Sequence, residues 1–234
     1  MSKDNEPAGR DVFLMGKIVS LCVPNITLDI LNGSWHTWFN DIYITKFTEH
    51  GVRPITEKEE ADIIQDELQN PNSLILTIVS NIDSRLIGVI SLKNINHRLR
   101  RAEIALVTDR NGVPGAALEA MSLMTEHGFD RLNLQKIYAG QHEGLWKWVN
   151  TLALIGYKIE GLRRDDGYRS GQSYDVVLTG ITATDFYRIR ANRGGSLVNK
   201  DAVALSKQRA TINLIPDLKK LLEDINNKFI GGEY

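Results

Sequence analysis

The chain has 234 residues, 42% of them hydrophobic and 24% charged, with a formal net charge of -1, which suits one packed domain plus an accessory segment. That balance gives no electrostatic footing for nucleic acid or an anionic membrane surface as partner, and no stretch approaches the ~20 apolar residues of a membrane span. Cys22 is the only cysteine, so an internal disulfide is excluded and a small buried hydrophobe is expected. The first ten residues are polar, lack the apolar core of a secretion signal and predict a flexible tail over 1–11 of a cytoplasmic protein. Residues 12–21 alternate loosely enough for a first strand, which Pro24-Asn25 ends. Leu28, Leu31, Trp35, Trp38 and Phe39 then recur at helical spacing, against the cost of Gly33.

Thr56 and Glu59 form a capping box after Pro54, and Ala61, Ile64 and Leu68 share one face of the helix that follows. Residues 74–80 and 86–92 are rich in branched apolar side chains and read as a hairpin. A strand over 102–108 leads through Arg110-Asn111-Gly112-Val113-Pro114-Gly115-Ala116 into a helix over 115–127 that Gly128 closes. Residues 134–139 form another strand. Leu145, Trp148, Val149, Leu152 and Ile155 define an amphipathic helix that stops at Gly156. Strands over 157–162 and 174–181 flank the turn-rich 164–171. After a Gly- and Ser-bearing linker over 192–199, Leu218, Leu221, Leu222, Ile225 and Phe229 describe a last amphipathic helix. It packs on the domain or pairs with a second subunit, so a homodimer is one expectation.

The strand, turn and helix around residues 102–121 are the most informative stretch. A turn that brings backbone N–H groups to the first turn of a helix is an anion site, because those donors lack intrahelical partners and the helix dipole favours negative charge. A pyrophosphate suits it.

Several phrases in a fixed order extend this reading: Trp38-Phe39-Asn40-Asp41, Leu86-Ile87-Gly88-Val89-Ile90, Ala102-Glu103-Ile104, Leu134-Gln135-Lys136-Ile137-Tyr138-Ala139, Ile155-Gly156-Tyr157-Lys158-Ile159-Glu160-Gly161 and Tyr174-Asp175-Val176. Together with Arg110 and Gly115 they resemble the acetyl-CoA-dependent N-acetyltransferases of the GNAT superfamily. The resemblance is to the branch that includes ribosomal-protein N-terminal and bacterial amino-sugar acetyltransferases. It implies an α/β (α+β) GNAT fold over 12–190, a mixed central sheet split by the coenzyme, and a linker and C-terminal helical extension over 191–234. Val113 stands where the family's first glycine is usual, and Pro114 removes one N–H donor.

The resemblance further implies acetyl transfer from acetyl-CoA directly to a primary amine, with the pantetheine arm paired against Leu106, Val107 and Thr108 as an added strand. The pyrophosphate then lies against Arg110, Asn111, Gly112, Val113, Gly115 and Ala116. Trp146 and Asn150, off the apolar face of the last domain helix, are candidates to flank the coenzyme, the alternative being core or surface roles. Trp35, Asp41, Tyr43 and His50 fall in the region that forms the acceptor wall, where rings stack on a substrate face and Asp41 attracts an ammonium.

An alkylammonium must lose a proton before it attacks. Glu103, among small apolar neighbours of the central strand, is the first candidate base, its pKa expected to be raised; the alternative is a structural carboxylate paired with Arg98, Arg100 or Arg101. His142 is the second candidate base, against a solvated loop histidine. Leu152 occupies the place of the tyrosine that usually reprotonates the thiolate, which leaves Tyr138, Tyr168 or solvent for that role. The acceptor expected is a small molecule, an amino sugar or its nucleotide. The alternatives are a protein or peptide N-terminal amine, and a non-catalytic binding module of the same fold. No metal-ligand spacing, Ser-His-Asp phrase or Walker loop is present, so no metal is expected.

Overall fold

The computed structural model describes residues 9–198 and 201–230. Eight strands form one sheet: β1 (Val12–Met15), β2 (Val19–Cys22), β3 (Leu74–Ser80), β4 (Leu86–Asn96), β5 (Arg101–Thr108), β6 (Lys136–His142), β7 (Lys158–Arg169) and β8 (Gln172–Thr182). They lie in the order β1-β2-β3-β4-β5-β6-β8-β7, and β5 with β6 is the one parallel pair. The helices are α1 (Trp35–Asn40), α2 (Glu57–Gln69), α3 (Ala116–Asp130), α4 (Trp146–Leu152), α5 (Ala183–Asn192), α6 (Ala202–Arg209) and α7 (Ile215–Ile230). This is the mixed α/β architecture that the sequence order implies.

Both faces of the sheet are covered. On one, Met121 and Met124 of α3, Leu152 of α4 and Phe186 of α5 pack against Ile78, Ile90, Leu92 and Ile104. On the other, Trp35 and Trp38 of α1 and Ile64 of α2 pack against Ile75, Val79 and Val89. Cys22 is buried in this second layer, and burial pushes its thiol up to about 11, so it serves as core.

Several local expectations change, each for a visible reason. Residues 12–21 make two strands, because Gly16 N–H turns back onto the Val19 carbonyl at 2.8 Å. A Cβ on Gly16 would stand 2.7 Å from the Glu119 carboxylate, which explains the glycine. The helix expected over 28–39 is broken into a π-helical turn at Ile26–Leu31 and the short α1. At Gly33 a Cβ would lie 2.2 Å from the Asp29 carbonyl. Gly128 does not close α3: the helix runs on to Asp130, and Gly128 is where the Ile137 side chain presses close, 2.7 Å from a built Cβ. Much of 164–171 is strand, with the register shifting between Arg163 and Gly167 before the tight turn at Ser170-Gly171.

The Thr56–Glu59 capping box is present in full. Of the expected tail, residues 1–8 lie outside the described residues, whereas Arg10 is pinned to the fully buried Asp29 at 2.8 Å. Helices α5 and α6 go beyond the expected elements; for α5 the signal was Thr182, whose hydroxyl accepts from Asp185 N–H at 3.2 Å as an N-cap.

Candidate active site

The site begins with a split in the sheet. β5 and β6 pair only through Arg101–Lys136, Ala102–Ile137 and Glu103–Tyr138. Beyond that point β5 stays paired to β4 as far as Thr108, and β6 to β8 as far as His142, with no ladder between them. The β6-facing edge of β5 from Ile104 to Thr108 is therefore a row of unpaired backbone groups, a template for a ligand that carries amides. Leu106, Val107 and Thr108, half-buried, line it.

Where β5 ends, the chain enters the expected turn. The N–H groups of Gly112, Val113, Gly115, Ala117 and Leu118 have no hydrogen-bond partner among the described residues. Gly115 has φ +85°, a left-handed conformation that a residue with a Cβ resists. Two expected donors drop out. Ala116 N–H is spent on the Val113 carbonyl at 3.0 Å, and Asn111 N–H on Asp109 Oδ1 at 3.2 Å. Ala117 and Leu118, one and two positions beyond Ala116 in the first turn of the helix, are the further free donors.

Glu103 and Tyr138 face each other at the last paired position, where the strands begin to part. Glu103 is half-exposed and accepts from Asn94 Nδ2 at 3.2 Å, so the apolar enclosure expected around it is absent. Nor does it pair with an arginine; Arg100 instead binds Asn133. Tyr168, the other tyrosine considered, is 76% exposed at the far end of β7.

A strap formed by residues 41–50 crosses the open end of the split. On the β5 side Arg110 Nη2 meets Asp41 Oδ1 at 2.7 Å and its guanidinium lies 4.0 Å from the centre of the Tyr43 ring. On the other side Phe47 packs on His142, which stacks on Tyr174 with ring centres 4.2 Å apart. Arg169 at the end of β7 donates to the carbonyls of Thr45, Thr48 and His50, the last two at 2.7 and 2.9 Å. One guanidinium thereby satisfies three carbonyls of a loop that has little secondary structure.

His142 is poorly placed as a base. Its Nδ1 accepts the Gly144 N–H at 2.9 Å, which fixes the neutral tautomer with hydrogen on Nε2, and burial lowers its pKa. His50 packs edge-on against Phe39, and burial lowers its pKa also. His127 in the last turn of α3 is lowered by the same cause. Each of these groups binds a proton more readily unfolded than folded, so stability should fall as pH drops through the ordinary histidine value near 6.5. Glu60 and Glu126, whose carboxyls burial raises, act in the opposite sense nearer the carboxylate range. A lower urea midpoint at about pH 5.5 than at about pH 7.5 is the expected result; an equal or higher one contradicts it.

Three expected site residues serve packing instead. Trp35 is fully buried under α2, out of reach of any acceptor. Trp146 packs with Val149, Val177 and Ile215. Asn150 donates to the carbonyls of Arg209 and Ile212 at 2.9 and 2.6 Å, bolting the α6–α7 connection to α4. Lys219 of α7 adds ion pairs to Glu143 and Asp175 at 2.5 and 2.8 Å. The extension thus docks on α4, leaving a pocket of about 430 Å³ between α4, β7 and Ile212 and Leu214. In the sequence, neither Trp146 nor Asn150 carries a local signal for this docking role, because its partners lie some sixty residues further on.

Residues 26–156 match the family model for the acetyltransferase (GNAT) domain. The chain belongs to the GNAT acetyltransferase family. It is an N-acetyltransferase. It is 30% identical over 125 residues to spermidine N(1)-acetyltransferase of Escherichia coli, covering 53% of this chain and 67% of that protein. It is 26% identical over 157 residues to an uncharacterized N-acetyltransferase, p20, of Bacillus licheniformis, covering 64% and 85%. In fold it is similar to spermidine N-acetyltransferase from Vibrio cholerae in complex with CoA and spermine, with TM-score 0.66 and 19% identity over 74% of this chain and 99% of that one. These relatives support the resemblance at the level of the superfamily; none of them belongs by name to the ribosomal-protein or amino-sugar branch. Among the described residues no helix is long and apolar enough to cross a membrane, and no group of three or more His, Cys, Asp or Glu could hold a metal ion.

Proposed function

We propose that this GNAT protein transfers the acetyl group of acetyl-CoA to a primary amine of a small polyamine. The splay of β5 from β6 beyond Glu103 and Tyr138 carries the reading. It leaves unpaired backbone for the pantetheine amides along Ile104 to Thr108, and it leads to a turn with free N–H donors for the pyrophosphate. The residues present fit the coenzyme: a donor-rich turn suits an anion, and a half-buried strand edge suits an amide-bearing arm. Bound there, acetyl-CoA supplies the activated acyl group.

The chain's own side chains supply positioning and proton transfer. Glu103, half-exposed at the start of the split, accepts the proton of the incoming ammonium, with Asn94 holding its carboxylate. Tyr138, opposite it in the ladder, is the acid that donates to the sulfur as it leaves. The strap over 41–50, tied to both arms of the split, bounds the acceptor side.

A polyamine is favoured over the amino sugar of the first expectation because two features suit a cation. The acceptor side carries the carboxylates Glu103 and Asp41, and Tyr43 offers an exposed ring. The relatives above that are named for a substrate are named for spermidine. Purified protein with acetyl-CoA should release free thiol and yield acetylated product with spermidine or spermine, well above the rate with amino-sugar nucleotides or a peptide N-terminus. Turnover confined to the sugar or the peptide overturns the polyamine reading.

A further inference from the structure

We propose that Asp41 and Tyr43 form a subsite for the distal ammonium of the polyamine, and that Arg110 fills this subsite until the coenzyme draws it away. The inference rests on the polyamine reading above and adds a coupling between the two substrates.

The subsite is defined by what already occupies it. A carboxylate beside an open aromatic face is the combination that recognises an alkyl cation, through a charge-assisted hydrogen bond and the ring quadrupole. Here the chain's own guanidinium holds that place, 2.7 Å from Asp41 Oδ1 and 4.0 Å from the Tyr43 ring centre. Arg110 is itself part of the turn whose N–H groups at Gly112, Val113 and Gly115 lack partners. A pyrophosphate received there offers Arg110 a more highly charged partner than one carboxylate, with bidentate geometry.

Exchange of partners is cheap. The Arg110 and Asp41 side chains are 46% and 32% exposed, so water screens their attraction. Asp41 stays aimed when the arginine leaves, because Tyr43 N–H donates to the same Oδ1 at 2.7 Å. That N–H bond, helped by Arg110, also keeps the Asp41 carboxyl below its ordinary range, so it remains an anion for an incoming ammonium. The Tyr43 ring, 71% exposed, is then free on its face.

Competition of this kind is a thermodynamic linkage, and it is reciprocal: coenzyme raises amine affinity, and amine raises coenzyme affinity by the same factor. CoA and spermidine form a non-reacting pair, so titration calorimetry reads both affinities directly. In the wild-type protein, saturating CoA should tighten spermidine by about 5-fold or more. Asp41→Asn removes the competitor for Arg110, so CoA alone should bind at least as tightly as to wild type, while spermidine binds weakly and the coupling factor falls to near one. Arg110→Gln should weaken CoA and tighten spermidine in the absence of CoA. Thermal melts matching wild type show that both variants are folded.

Coupling that persists in Asp41→Asn, or loss of CoA affinity in that variant, overturns the subsite. So does unaltered CoA-free spermidine binding in Arg110→Gln. A wild-type protein that binds CoA but no polyamine at all sinks the polyamine reading and the subsite with it; polyamine binding indifferent to CoA and to Asp41 sinks the subsite alone.

Discussion

Glu103→Gln is expected to lower kcat by about 10²–10⁴-fold, the usual contribution of a positioned general base. The amide keeps the volume and can still meet Asn94, which now stands 3.2 Å from Glu103 Oε2, so the fold and the split should be unaffected. The KM for the amine should change much less, because the loss lies in the proton transfer and not in ground-state contact. The pH profile supplies the second readout. A wild-type enzyme whose kcat/KM rises along an acid limb should lose that limb in the variant, leaving the ionisation of the amine itself. A kcat within about threefold of wild type would return Glu103 to the structural role considered from the sequence and shift attention to solvent as the base.

The second large effect is on stability and comes from Glu119, which no sequence signal marked. This residue in the first turn of α3 is 8% exposed. Its carboxylate accepts three backbone N–H groups from the β1–β2 turn: Lys17 and Val19 at 2.9 Å and Ile18 at 2.6 Å. In Glu119→Ala all three donors lose their acceptor, and each buried unsatisfied group costs about 1–3 kcal/mol. Part of the turn admits water, so the expected loss is about 3 kcal/mol, or a Tm lower by roughly 6–12 °C for a chain of this size. Glu119→Gln should fall between, since one amide oxygen can replace part of the set and its NH₂ must face away. Urea unfolding of the three proteins checks the order; a loss under about 1 kcal/mol for the alanine variant would mean that water replaces the carboxylate at little cost.

Glu119 illustrates how far a local reading reaches. A glutamate in the first turn of a helix looks like a partner of the helix dipole. Its true partners lie about a hundred residues earlier in the chain, so only the packing of α3 against β2 reveals the role. Gly16 and Gly128 belong to the same class. Gly128 looked like a cap and Gly16 carried no signal within its expected strand, and each is a glycine because a distant side chain approaches its backbone.

What the sequence determined by itself is what depends on neighbours within a few residues. Apolar periodicity and the Thr56–Glu59 box located α2, branched apolar runs located the β3–β4 hairpin, and the strand-turn-helix at 102–121 located the turn with free N–H donors. The tertiary structure alone decided which groups are free to act. The register shows β5 leaving β6 at Glu103, the Ala116 and Asn111 donors are spent locally, and Asn150 and Trp146 are taken by a C-terminal extension some sixty residues further on. Arg110 and Asp41, sixty-nine positions apart, form an ion pair that no spacing rule connects. The physical reason is one of range: helix caps and strand alternation are set by bonds between near neighbours, whereas the availability of a donor or a charge depends on everything folded against it.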